Sequence, residues 1–107
     1  MTTVNITIPD ILSSFNKIKR EEVLLSAIRH VVVGKLKEEK KEAEKAIKGI
    51  KKYEKRYEMS FKEFEKNMSK NGDYRLHEDW VDWSFQNDVY NRTQEDMQKL
   101  QRLFGEI

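Results

Sequence analysis

Apolar and polar positions follow period two at the start of the chain and a helical period afterwards. Thr3-Val4-Asn5-Ile6-Thr7-Ile8 alternates strictly, with Val4, Ile6 and Ile8 on one face and Thr3, Asn5 and Thr7 on the other. That alternation marks a half-buried strand, and Pro9 ends it. No second strand pattern follows. The expected pairing is therefore with the same strand of a second chain across a two-fold axis. Ile11, Leu12, Phe15 and Ile18 then predict a short helix over 10–18.

A long helical pattern runs from about Glu21 to Glu58. One heptad row is Arg29, Leu36, Ala43, Ile50 and Tyr57; its companion is Leu25, Val32, Glu39, Ala46 and Tyr53. Together they make a seam from Leu25 to Tyr57, interrupted by Arg29 and Glu39. Unbroken, about 38 residues span roughly 57 Å. A compact globule of this length has a radius of gyration of only about 13 Å. The helix must protrude and be covered, or break. Gly34 and Gly49 are the weak points, each about 1 kcal/mol worse than Ala.

Ser60 and Glu63 form the S-x-x-E capping box, and Met59 and Phe64 the hydrophobic staple around it, so a short helix starts at Phe61. Ser69-Lys70-Asn71-Gly72-Asp73 is a turn cluster. A last helix runs from about His77 or Glu78 to Phe104. Its apolar row is Leu76, Trp83, Tyr90, Met97 and Phe104; the companion row, Asp79, Gln86, Thr93, Leu100 and Ile107, is polar at first. Trp80, Val81, Phe85 and Val89 lie off the apolar row, more apolar surface than one packing neighbour would use. The expected fold is mainly α: a short N-terminal β-strand, a long amphipathic helix, a short capped helix and a C-terminal helix, extended rather than globular.

Apolar and charged residues each make up 37% of the chain, too apolar for disorder and lean for a compact globule. There is no Cys, which excludes disulfides and thiolate chemistry. The first residues lack a signal-peptide pattern, and no apolar run reaches a membrane span, so the expected compartment is the cytoplasm. Charge divides the chain in two. Residues 1–57 carry +6 and residues 58–107 carry −4. With the strand and the seam, this division gives the expected organisation: 1–57 as a dimerisation half and candidate DNA-binding half, and 58–107 as a partner-binding half; the plain alternative is that solvated helix faces differ in charge by chance.

Nucleotide-binding and hydrolase motifs are missing from the sequence. His77-Glu78 does not start a zinc motif, since Val81 stands where the second His would be. His30 sits beside Val31-Val32-Val33 as a packed or solvent-facing residue. Glu78, Asp79 and Asp82 suit a helix N-terminus through its dipole; a hard-metal site is the rival reading. Three Asn-X-Ser/Thr sequons, at Asn5, Asn67 and Asn91, read as chance without a secretory signal. No cofactor, small-molecule substrate or catalytic residue is expected.

Trp80 and Trp83 have two readings: core against Tyr53, Tyr57, Phe61 and Phe64, or interface anchors. Near the other end, Thr3, Asn5 and Thr7 could face outward from a paired ribbon. With Lys19 and Arg20 supplying phosphate contacts, such a ribbon fits the DNA major groove.

The pieces Thr3-Val4-Asn5-Ile6-Thr7-Ile8-Pro9, Tyr53-Glu54-Lys55-Arg56-Tyr57, Met59-Ser60-Phe61-Lys62-Glu63-Phe64 and His77-Glu78-Asp79-Trp80-Val81-Asp82-Trp83 resemble small antitoxins of prokaryotic type II toxin–antitoxin pairs. They cover less than half the chain. Two departures stand out. Glu58 occupies a position where the family pattern usually has Gly, and the first helix is short for a ribbon–helix–helix start. The resemblance implies neutralisation of an RNase-like toxin by direct binding, with repression of the shared operon through operator DNA. Trp80, Trp83 and Tyr90 are then the expected toxin anchors, with Glu78, Asp79 and Asp82 around them. Val4, Ile6, Ile8, Leu25 and Val32 are the expected dimerisation residues. The alternative is a structural helical or coiled-coil adaptor that binds neither toxin nor DNA; a metal-dependent enzyme is the weakest rival.

Overall fold

A computed structural model describes Thr3, residues 5–68 and residues 74–107. Within them the chain is all-helical and extended, with helices α1 (Lys17–Tyr57), α2 (Phe61–Met68) and α3 (Tyr74–Glu106), preceded by one 3-10 turn at Asp10–Ser14. The radius of gyration is 21.5 Å and the long axis 68 Å. α1 supplies that length: its 41 residues span about 61 Å. Gly34 and Gly49 do not break it.

The expected N-terminal strand is not found among the described residues. Thr3 and residues 5–9 are irregular and exposed, and Val4 lies outside the described residues. Alternation gives a strand its two faces, but a strand also needs an edge for its N–H and C=O groups. None of the described residues of the chain forms a strand to offer that edge. The short helix expected over 10–18 is also divided. Leu12 N–H donates to the Pro9 carbonyl at 3.1 Å, closing the 3-10 turn. Asn16 then caps α1, its Oδ1 accepting from the Lys19 N–H at 2.8 Å. This cap starts α1 at Lys17, four residues before the periodicity alone placed it.

α1 and α3 form an antiparallel hairpin. Tyr53 meets Asp82, Gly49 meets Gln86, Glu42 meets Arg92, and Arg29 meets the carbonyl of Ile107. The heptad rows are the contact. Val32, Ala43, Ala46 and Tyr53 of α1 and Trp83 and Thr93 of α3 are buried. Small residues let the axes approach: a Cβ on Gly49 would lie 3.0 Å from the Gln86 side chain. Thr93 satisfies its buried hydroxyl on the Tyr90 carbonyl at 2.7 Å.

α2 closes one end of the hairpin. Ser60 Oγ accepts from the Glu63 N–H at 3.3 Å, forming one arm of the capping box. Met59 and Phe64 both belong to the aromatic cluster below, as the staple requires. The turn from α1 is made by Glu58, at φ 52° and ψ 40°, the left-handed region that favours Gly. The turn cluster at 69–73 lies outside the described residues.

Candidate functional site

The closed end of the hairpin is built around Trp83, which is 0% exposed. Its ring lies 5.6 Å from Tyr53, 6.2 Å from Tyr57, 5.4 Å from Phe61 and 5.2 Å from Phe64. Three elements therefore meet on one side chain, which offers no surface to a partner. Trp80, one turn earlier, is half-buried, and its Nε1 donates to Glu65 of α2 at 3.0 Å.

The carboxylates expected around these anchors do not converge. Tyr53 donates its hydroxyl to Asp82 at 2.5 Å. Tyr57 donates to Asp79, which Arg56 also meets at 3.1 Å. Burial pushes the Tyr53 hydroxyl up to about 12, helped by the hydrogen bond to Asp82 and the charges of Asp82 and Asp79, against Arg56. Burial likewise raises Tyr57, with Asp79 adding to it and Arg56 opposing. Asp79 and Asp82 thus lock α3 to α1, while Glu78 is exposed. Among the described residues, no group of three or more His, Cys, Asp or Glu is placed to hold a metal ion. Tyr90 is half-buried on the inward face of α3.

The surface opposite Trp83 was not singled out by the residue pattern. Tyr74, Val81 and Phe85 are 75%, 50% and 60% exposed. With Glu78 and Asp88 they recur every three or four residues, making one outward stripe of apolar and acidic side chains. The signal was present: Val81 and Phe85 fall off the apolar row by half a helical turn. Beside Phe85 a groove of about 330 Å³ runs between the helices, lined by Ala46, Val89 and Arg92 among others. Arg92 reaches across it to Glu42 at 3.4 Å.

At the open end the remaining expected residues separate. Val32 is buried by α3, whereas Leu25, Ile6 and Ile8 are exposed. Thr3, Asn5 and Thr7 are exposed on irregular backbone, and Lys19 and Arg20 stand on the first turn of α1. The ribbon that would have carried them into a DNA groove is not formed by the described residues of this chain. No described helix is long and apolar enough to cross a membrane. No protein-family model, curated protein or solved structure matches the sequence.

Proposed function

We propose that this protein acts by binding another protein, as the antitoxin-like partner of an RNase-like toxin, through the outer stripe of α3. The observation that carries the reading is the exposure of Tyr74, Val81 and Phe85 along α3, beside Glu78 and Asp88. Apolar anchors at helical spacing fit a groove in a partner. Carboxylates among them complement a cleft that must be basic to hold RNA, and residues 58–107 carry −4. Inhibition by coverage needs no catalytic group in the inhibitor. Trp83, Asp79 and Asp82 serve behind this surface by fixing α3 in place.

The test is an RNA-cleavage assay with the small protein encoded beside this one, titrated with the purified chain. Cleavage should stop at a fixed stoichiometry. Phe85→Asp should weaken inhibition by at least about 30-fold, the loss of one anchor. Asp88→Asn should mainly slow association and reduce its salt dependence. Undiminished cleavage at saturating concentrations of the folded chain would refute the toxin assignment and leave a helical adaptor.

A further inference from the structure

The open end of the hairpin carries a second surface, independent of the α3 stripe. α3 ends opposite Arg29, yet α1 continues to Lys17, about 18 Å further. The seam continues with it. Val32 is 3% exposed under α3, while its heptad mates Leu25 and Ile18 are 38% and 71% exposed. Beside the seam, Ala27, Ile28, Val31 and Lys35 join Leu100 and Leu103 of α3 in an apolar groove of about 330 Å³.

The order of side chains along that groove face identifies its occupant. Residues spaced three or four apart on α1 read Lys17, Arg20, Leu24, Ile28, Val31, Lys35, Glu38 or Glu39, and Glu42. The face is basic at its start, apolar in the middle and acidic at its end, apart from Glu21 and Lys35. Glu39 stands where this face meets α3, beside Asp96 and Lys99. Such a face is complementary to itself when reversed. Positions whose numbers sum to 59 then oppose: Lys17 with Glu42, which also meets Arg92 of its own chain, Arg20 with Glu39, Leu24 with the stem of Lys35, and Ile28 with Val31. A parallel copy would set like charges against each other.

We propose that a second copy of this chain docks here, antiparallel, about a two-fold axis between Arg29 and His30. Residues 24–32 of each copy's α1 cover the other's groove, the first α1 turns reach its acidic end at Glu39 and Glu42, and the two closed ends point away from each other.

Sedimentation equilibrium of the full chain at micromolar concentration should give a dimer. Ile28→Asp should raise its dissociation constant by at least about 30-fold with helicity unchanged. Arg20→Glu should weaken the dimer, and Arg20→Glu with Glu39→Arg should restore it. The chain has no Cys, so single cysteines report the geometry. Leu24→Cys mixed with Lys35→Cys should cross-link. Leu24→Cys alone should not, because its two copies would stand about 16 Å apart along the axis, beyond disulfide reach. A monomer, a dimer indifferent to Ile28→Asp, or self-cross-linking of Leu24→Cys would each overturn the proposal.

Discussion

Replacing Trp83 by Ala separates a core role from a surface role. The side chain is fully buried, so the change leaves a cavity between three helices. Truncating a buried Trp costs about 3–5 kcal/mol. Trp83 also holds four ring contacts with Tyr53, Tyr57, Phe61 and Phe64, and aromatic pairs contribute about 0.5–1.5 kcal/mol each beyond burial. The expected loss is therefore at the top of that range, about 5 kcal/mol. A chain of this length has a stability of about 5–15 kcal/mol, so the variant should be close to unfolding. Trp83→Phe behaves differently. It keeps a ring in the cluster and removes the Nε1 donor, which is buried without a partner. An orphaned buried donor costs about 1–3 kcal/mol, offsetting part of the lost volume. Its net effect should stay below about 2 kcal/mol. Guanidinium unfolding followed by circular dichroism measures both, and amide exchange should show α2 released first in the Ala variant. An Ala variant with an unchanged midpoint and unchanged α2 protection would refute the core assignment.

Other expectations follow from single features. The Tyr53 hydroxyl is raised from an ordinary value near 10 to about 12, so the folded state holds this proton more tightly. Its stabilisation is complete below pH 10 and is lost as pH rises towards 12, by about 3 kcal/mol at most; Tyr53→Phe should flatten that limb of an alkaline stability profile. Ser60→Ala should cost about 1 kcal/mol by removing the cap on the Glu63 N–H, read from the denaturation midpoint. Gly34→Ala should stabilise by about 1 kcal/mol, since a Cβ there meets nothing within 4 Å. Gly49→Ala should gain less, because its Cβ must displace Gln86. Glu58→Gly should raise the thermal midpoint by relieving the left-handed backbone, a gain of about 1 kcal/mol.

The sequence by itself determined the helices and their inward faces. Heptad rows ending in Tyr53 and Tyr57, and the row through Leu76, Trp83 and Tyr90, are local patterns, and a helix turns any such pattern into a stripe. The box at Ser60 and Glu63 is equally local, since its groups lie within one turn. Glu58 stood out in the sequence only against the pattern the chain resembles, which usually has Gly there; that its backbone is left-handed is a finding of the structure. Tertiary structure decided what covers each stripe. Tyr53, Phe61 and Phe64 can bury only one face of α3, so Trp83 went inside and left Tyr74, Val81 and Phe85 outside. Asp79 and Asp82 became tyrosine acceptors because antiparallel packing brought Tyr57 and Tyr53 beside them, a contact across more than 20 residues that no local spacing encodes. The strand pattern at Thr3 to Ile8 shows the same limit from the other side. Its alternation is intrinsic, but a strand exists only where another edge completes its hydrogen bonds, and the described residues of this chain do not supply one.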